Sequence, residues 1–159
     1  MTLERIHLPL SLLLLLLLSL LLQPGGCQII IFGNETGVQR FWRLHVDYPK
    51  SNMSGGDSQY CTAMIHSRQI LDKGKCKQEN TFIHAVAGDI FDICKTPRVK
   101  HCYDVTKNCH LSDISFTQTL CVLQARSRFP KCTYMGFPKF KKIWLACEGI
   151  PPAPVYLDP

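Results

Sequence analysis

The spacing of hydrophobic and polar residues along the chain predicts helices first and strands later. Apolar residues at helical spacing predict three short helices, at residues 37–46, 60–71 and 84–93. The segment Asp47–Gln59 is predicted to be a loop, because it combines a proline, two adjacent glycines and several Ser, Asn and Asp residues. The first half of the chain is therefore expected to be mostly helical.

The second half of the chain has a different pattern. From Val99 onward, short β-prone segments are separated by Asn, Pro and Gly, which predicts antiparallel strands and hairpins. The segments are VKHCYDV, FTQTLCVLQA, KCTYMGF and KIWLACEG. Helices followed by strands indicate the α+β class. The chain has no internal repeat, and 159 residues fit one domain.

The N-terminal segment has the pattern of an export signal. Glu4 and Arg5 precede an apolar run of 15 residues, Leu8–Leu22, whereas a helix that crosses a membrane needs about 20. Small residues follow and end at Cys27, so we expect cleavage after that residue rather than an uncleaved membrane anchor. The expected division is a signal peptide at 1–27, a lead segment at 28–40 and a domain at 41–159. This pattern predicts a secreted, extracellular protein.

The cysteine content and the charge of the chain indicate its disulfides and its class of partner. The expected mature chain of 132 residues has eight cysteines and a formal charge of +6. An even number of cysteines in a small exported chain indicates disulfides, although about 105 pairings are possible for eight cysteines. The excess of Lys and Arg favours polyanions as partners, such as nucleic acid, heparin-like sugars or anionic membranes.

The segment Cys76–His84 reads CKQENTFIH, with a Cys, a Lys, then Asn-Thr-Phe and a His. Cysteine spacings of 18, 7, 12, 11 and 15 positions occur between Cys76 and Cys147, and the ending is ACEGIPPAPVYLDP. These features closely resemble the pancreatic ribonuclease (RNase A) superfamily, although the gap from Cys94 to Cys102 is one residue longer than usual. The resemblance covers about Phe41 to Asp158. It implies a bent antiparallel sheet with three short helices and four disulfides.

The resemblance also implies how the cysteines pair. The implied bridges are Cys61–Cys121, Cys76–Cys132, Cys94–Cys147 and Cys102–Cys109. A zinc site is the alternative for part of this set, because His101-Cys102 and Cys109-His110 lie close together. Since the chain has no Cys-x-x-Cys pair, we expect structural bridges, with no metal and no cofactor.

Family members cleave RNA by attack of the 2′-oxygen on the adjacent phosphorus. One His removes the 2′-proton, a second His protonates the departing 5′-oxygen, and a Lys stabilises the added negative charge. The resemblance assigns the first His to His45 and the Lys to Lys77. It implies that Thr81 reads pyrimidines, and Asn80 beside it is also a candidate for substrate binding.

The second catalytic His is missing. Its position, nine residues after the last cysteine, is occupied by Tyr156, while the Asp that orients this His is retained as Asp158. The Gln that touches the phosphate is replaced by Leu44, and the aromatic residue of the base pocket is replaced by Leu157. Tyr has a pKa near 10, against about 6.5 for His, so it donates a proton poorly. We expect the rate to fall by about 10²–10⁴, which leaves little or no ribonuclease activity.

Three functions are compatible with these features. The leading hypothesis is a secreted monomer with a degenerate site that binds RNA or another polyanion weakly, or a cell surface or membrane. The first alternative is a weak, pyrimidine-preferring endoribonuclease that still uses His45. The second is a cationic host-defence protein, favoured by the basic cluster Lys139, Lys141 and Lys142 beside Phe140 and Trp144 and by the cluster Arg126, Arg128 and Lys131. We expect Phe140 and Trp144 to be core strand residues, which argues against a membrane-binding role.

Several further sites follow from short motifs. The sequons at Asn34 and Asn52 lie in predicted loops and are candidate glycosylation sites. The resemblance makes His84 a structural neighbour of the site. We expect the histidines outside the motif, His66, His101 and His110, to lie at the surface. The Ile150-Pro151 bond is expected to be cis, as it often is in related chains.

Overall fold

A computed structural model describes residues 34–99, 102–103 and 108–159, with the side chain of Val99 excepted. Residues Glu35–Pro159 form one compact unit. The predicted signal peptide, residues 28–33 and His101 lie outside the described residues, so the expected cleavage remains a prediction. No helix in the described ranges is long and apolar enough to span a membrane.

The three helices are α1, Gly37–His45, α2, Gly56–Ser67, and α3, Ala87–Ile93. The first agrees with the predicted helix at 37–46 to within one residue. Its start is fixed by Thr36, whose hydroxyl accepts from the Gln39 amide, while the Gln39 side chain accepts from the Thr36 amide. This capping box starts the helix at Gly37. The predicted boundary between the lead segment and the domain, at residues 40 and 41, therefore lies inside α1.

The bounds of the other two helices differ from the prediction. Helix α2 begins four residues earlier than residue 60, directly after Gly55, and Gly55 and Gly56 have φ values of 101° and 80°. It ends four residues earlier than residue 71, because Gln69 adopts φ 50° and the Ile70 amide donates to the Ile65 carbonyl at 2.9 Å. Helix α3 begins three residues later than residue 84, because the His84 amide donates to the Thr117 carbonyl at 2.9 Å instead.

The described residues also form nine short strands. They are β1, Leu71–Asp72; β2, Lys75–Cys76; β3, Glu79–Ile83; β4, Arg98–Val99; β5, Cys109–Leu111; β6, Phe116–Leu123; β7, Tyr134–Lys141; β8, Trp144–Glu148; and β9, Ala153–Asp158. Strands were predicted from Val99 onward, and four further strands that were not predicted precede or overlap that residue. The segment predicted at residues 131–137 is also displaced, because its strand begins at Tyr134 and continues to Lys141.

The strands form a hairpin and two antiparallel sheets, with strand orders β1-β2, β3-β6-β7 and β4-β5-β8-β9. Together with the three helices, they confirm the α+β class and the RNase A-like fold. Helix α2 packs along β7, where the hydroxyls of Ser58 and Thr62 accept from the amides of Gly136 and Tyr134. These contacts satisfy backbone donors at an edge strand of the described sheet. The Ile150–Pro151 bond is cis.

Two of the hydrophobic clusters among the described residues join the helices to the sheets. One joins α1 and α3 to the four-stranded sheet and includes Phe41, Ile90 and Leu145. The other joins α2 to the three-stranded sheet and includes Tyr60 and Phe82. The disulfides are Cys61–Cys121, Cys76–Cys132, Cys94–Cys147 and Cys102–Cys109, the same four pairs that the resemblance implies. Each such bridge typically contributes about 2–5 kcal/mol to a small domain.

Candidate functional site

The end of α1 is held in place by a clamp that positions His45. The Nη1 group of Arg68 donates to the Val46 carbonyl at 2.5 Å and to the Arg43 carbonyl at 3.2 Å. Its Nη2 group donates to the Asp47 carboxylate at 2.9 Å. A cation at a helix C-terminus satisfies carbonyls that lack partners within the helix. The clamp therefore fixes where the last residue of α1 lies.

His45 faces strand β3 with a defined hydrogen bond. Its Nδ1 atom lies 2.9 Å from the carbonyl oxygen of Thr81. A carbonyl only accepts, so Nδ1 carries the hydrogen and Nε2 is the basic atom of the neutral ring. Burial and, after it, the charge of Lys77 lower the pKa of His45 well below its ordinary value near 6.5, despite the opposing bond to Thr81. The ring is therefore neutral at pH 7 and can accept a proton at Nε2.

Lys77 is held beside α1 by Asn80. The Lys77 Nζ donates to the Asn80 side-chain oxygen at 2.9 Å, and the Asn80 amide donates to the Leu44 carbonyl at 2.8 Å. Asn80 is buried, and these two bonds engage both polar atoms of its side chain. Burial lowers the pKa of Lys77, and Arg40 adds to this effect. In this structure Asn80 positions Lys77 rather than projecting a free amide into the site.

A cleft of about 690 Å³ brings the candidate residues together. The predicted site residues that line it are His45, Lys77, Asn80, Thr81, Tyr156, Leu157 and Asp158. Tyr156 lies on β9 opposite Ala146 and is half-buried. One carboxylate oxygen of Asp158 accepts from the Tyr103 amide at 3.2 Å. Its other oxygen is buried without a hydrogen-bond partner among the described residues.

Several residues of the cleft were not identified from the sequence. Leu120 is directly opposite Thr81 in the β3–β6 register and lines the same cleft. Buried Gln118 lines it too and donates to the Lys141 carbonyl at 2.8 Å. Arg40 lines this cleft and also a neighbouring one of about 400 Å³. Only the cross-strand register places Leu120 and Gln118 here, whereas the four-residue spacing from Arg40 to Leu44, which puts both on one face of a helix, was visible in the sequence.

The other histidines have structural contacts. His84 donates from Nδ1 to the Asp47 carbonyl at 2.9 Å and its Nε2 is 2.8 Å from the Thr119 hydroxyl. His66 is exposed, as expected. His110 is buried in β5 and its Nδ1 donates to the Thr96 carbonyl at 2.7 Å, so the expectation of a surface position was wrong. The sulfurs of Cys102 and Cys109 are bonded to each other and cannot also serve as thiolate ligands of zinc.

The two sequons both lie in exposed positions. Asn34 precedes α1, and Asn52 lies in the loop between α1 and α2. Exposure of the asparagine is a requirement for a bulky sugar at the surface. Glycosylation of the two sites remains a prediction.

Phe140 was expected to be a core residue, and this expectation was wrong because it is 75% exposed. The reason is where α2 begins. An added Cβ at Gly136 would meet the Asp57 carbonyl, so the first turn of α2 rests on that glycine. Strand β7 continues past the helix to Lys141, which leaves Phe140 uncovered by α2. Trp144 is partly buried against the cluster that contains Ala146, as expected of a strand residue.

Comparison with known proteins agrees with this fold. The family model described as pancreatic ribonuclease matches residues 36–158. A protein named ribonuclease pancreatic from Gerbillus nigeriae is 37% identical over 144 residues, which cover 91% of this chain and 94% of that protein. Proteins of the same name from Acomys cahirinus and Sundamys muelleri are 37% and 38% identical and cover 93% and 91% of this chain. The matched regions cover 95% and 94% of those two proteins. The chain belongs to the pancreatic ribonuclease family.

Proposed function

We propose that this protein is an exported member of the family with a degenerate active site, which acts by binding polyanions or a cell surface rather than by cleaving RNA. The observation that carries this proposal is the composition of the cleft. His45 and Lys77 line it together with Tyr156, which stands where the family's second histidine is expected. The base and the stabilising cation are retained, and the proton donor is replaced.

The chemistry of the cleft supports weak cleavage at most. A neutral His45 can accept the 2′-proton at Nε2, and Lys77 can stabilise the negative charge of the transition state. A tyrosine hydroxyl, with a reference pKa near 10, is a poor proton donor at neutral pH, and it brings no positive charge to the phosphate. A positioned general acid is typically worth about 10²–10⁴ in rate. The cleft therefore favours substrate binding over turnover.

Charges around the cleft fit weak binding of an anion. Arg40, Lys77, Lys141 and Lys142 line it, and so do Glu79, Glu148 and Asp158. Mixed signs reduce the attraction that the net positive charge of the chain provides. We infer a weak interaction with RNA or another polyanion, made by a monomer.

Weak ribonuclease activity is the alternative that the geometry favours most. The Nδ1–Thr81 hydrogen bond leaves the reactive nitrogen of His45 free to act, and Asn80 holds Lys77 beside the same helix. A base and a cation arranged in this way could support slow cleavage if water or Tyr156 delivered the proton. Cleavage that disappears in His45→Ala would favour this alternative.

The deciding experiment compares RNA cleavage by three disulfide-bonded samples: the natural chain, Tyr156→His and His45→Ala. The substrate is a pyrimidine-rich RNA, and purification must exclude host ribonucleases. We expect the natural chain to be inert and Tyr156→His to gain cleavage, because the new imidazole would supply the missing acid. If the natural chain cleaves RNA and His45→Ala abolishes that activity, the proposal is wrong and the protein is an enzyme.

A further inference from the structure

We propose that one end of the β6–β7 hairpin is a docking surface for anionic lipid membranes. We call this surface the basic tip and define it by Ile114, Lys139, Phe140, Lys141 and Lys142. This inference rests on the proposal that the protein acts by binding at a cell surface, and it names the partner. It does not depend on catalytic competence of the cleft.

The basic tip combines exposed apolar and cationic side chains. Phe140 is 75% exposed and Ile114 is 60% exposed, and the three lysines are exposed as well. Large apolar side chains at the water-facing surface are costly unless a partner covers them. Exposed lysines and exposed apolar side chains at the same end of the sheet match the surface of a membrane, where acyl chains lie beneath anionic headgroups.

Hydrogen bonds bring the two parts of the basic tip to the same end of the sheet. The Ser112 amide donates to the Ile143 carbonyl at 2.9 Å, and the Ile143 amide donates to the Ser112 hydroxyl at 2.9 Å. The same hydroxyl donates to the Ile114 carbonyl at 2.7 Å. The turn that carries Ile114 is thereby fixed to the turn that follows the lysines. Both apolar residues are presented on a rigid frame.

The exposure of Phe140 follows from the packing of α2. That helix begins at Gly56 and its first turn meets β7 at Gly136, four residues before Phe140. Across the sheet, the neighbour of Phe140 is Thr117, which is also exposed. The described part of the chain therefore leaves this ring in solvent, on a strand whose backbone is fixed by pairing with β6. A fixed ring loses little conformational freedom when it inserts.

A membrane fits these features better than a soluble polyanion does. A sulfated sugar would use the lysines but offers no apolar phase for Ile114 and Phe140. RNA can stack a base on Phe140 but offers no apolar phase for Ile114. The loop at residues 126–131 provides an internal comparison, since it carries Arg126, Arg128, Lys131 and Phe129, which is 56% exposed. It lies at the opposite end of eight paired positions, roughly 25 Å away at ~3.4 Å per residue. It has the same number of cations but one exposed apolar side chain instead of two.

The test measures binding of the protein, produced from the full chain in a secreting host, to phosphatidylcholine vesicles with and without phosphatidylserine. We expect binding only to the anionic vesicles, and weaker binding at high salt. Phe140→Ser should weaken it on the order of tenfold. Changing Lys139, Lys141 and Lys142 together to glutamine should weaken it on the order of 100-fold at low salt.

Matched controls separate the basic tip from general charge effects. The triple change of Arg126, Arg128 and Lys131 to glutamine removes the same charge from the opposite end and should reduce vesicle binding much less. Phe129→Ser is the equivalent control for the aromatic ring. Circular dichroism and thermal unfolding would verify that each variant is folded, which we expect because every altered side chain is exposed. In Phe140→Trp, the new indole should show a blue-shifted emission on anionic vesicles.

Three results would overturn the proposal. The natural chain could fail to bind anionic vesicles at all. Removing the charges at 126–131 could weaken binding as much as removing the lysines of the tip, which would indicate a non-specific charge effect. Phe140→Ser could bind normally while the lysine variant loses both vesicles and heparin, which would make the tip a polyanion site without lipid insertion. Each result is independent of the RNA cleavage assay, which alone decides whether the protein is an enzyme.

Discussion

Replacing Asp47 with alanine should destabilise the domain more than most single substitutions. The Asp47 side chain is 5% exposed and accepts four hydrogen bonds. The donors are the Ser51 amide and hydroxyl at 2.9 Å each, the Tyr60 hydroxyl at 2.7 Å and the Arg68 guanidinium at 2.9 Å. Removal of the carboxylate leaves these donors without their acceptor. Arg68 would also lose the partner that balances its charge at the end of α1.

The expected magnitude follows from what remains buried. Breaking a buried ion pair by removing one partner typically costs about 3–5 kcal/mol, because the other charge is left uncompensated. The Arg68 side chain is 23% exposed and can regain some water, so the lower end, about 3 kcal/mol, is the appropriate figure for the free energy of unfolding. For a domain of this size, that loss corresponds to a fall in Tm of very roughly 10 °C.

The loss should depend on pH in a defined direction. Burial raises the pKa of Asp47, but the hydrogen bonds from Ser51 and Tyr60 and the charge of Arg68 outweigh burial and lower it overall. A carboxyl whose pKa is lower in the folded state stabilises the fold above its unfolded pKa, near 3.8. This contribution disappears as the pH falls through the folded-state pKa. The difference between the natural chain and Asp47→Ala should therefore shrink in acid.

Chemical denaturation at pH 7 with the disulfides intact would measure the effect. Asp92→Ala is the matched control, because the Asp92 carboxylate pairs with Lys95 at 2.6 Å but is 65% exposed. An exposed pair of this kind is worth about 0–1 kcal/mol. Similar losses for Asp47→Ala and Asp92→Ala at pH 7 would refute the reasoning. So would a difference for Asp47→Ala that does not shrink as the pH is lowered below the unfolded value near 3.8.

Two further predictions concern the glycines and the histidines. Gly136→Ala should destabilise the domain by more than about 2 kcal/mol, because the added Cβ would clash with the Asp57 carbonyl oxygen. Gly88→Ala, whose added Cβ would meet nothing within 4 Å in α3, should instead raise the Tm slightly. Burial lowers the pKa of both His45 and His84, so stability should fall as the pH decreases from about 6.5 towards the folded-state pKa values. Titration of the ring protons by NMR would contradict this if either histidine were half-protonated at or above pH 6.5.

The sequence predicted the class of the fold and the existence of three helices, because local patterns carry that information. Helix bounds were less accurate where tertiary contacts decide them. Ile70 and Leu71 extend the helical pattern of apolar residues in the sequence. Helix α2 nevertheless ends at Ser67, because the Ile70 side chain is buried in the core. Strand β3, Glu79–Ile83, was not predicted from the sequence. It lies within the motif at Cys76–His84, and the residues that define this motif obscure the pattern of exposed and buried positions along the strand.

The candidate site was found almost entirely through the resemblance. The motif and the cysteine register placed Lys77, Thr81 and Tyr156, and these residues line one cleft with His45. Leu120 could not be found in this way, because it reaches the cleft only through its pairing with Thr81. The exposure of Phe140 was missed for a similar reason, since it depends on where α2 begins to cover β7.

The way the cleft is assembled explains how the family's acid can be lost while the rest of the site persists. His45 is held by the Thr81 carbonyl and by the clamp of Arg68 at the end of α1, and Lys77 is held by Asn80. The residues that make these bonds belong to α1, to β3 and the residues just before it, and to the segment after α2. Position 156 belongs to β9. Under the proposed function, proton transfer is lost on β9, while the bonds of His45 to Thr81 and of Lys77 to Asn80 lie on other elements and are kept.

The same assembly makes Tyr156→His a test of a preformed site. The new imidazole would lie near Asp158, which lines the same cleft and whose buried oxygen has no hydrogen-bond partner among the described residues. We expect the free energy of unfolding to change by less than about 2 kcal/mol, because the tyrosine is half-buried and the substitution keeps a ring. Cleavage should rise by at least about 10². A stable Tyr156→His protein that remains inert would indicate that Leu44 and Leu157, rather than the missing acid, limit the chemistry.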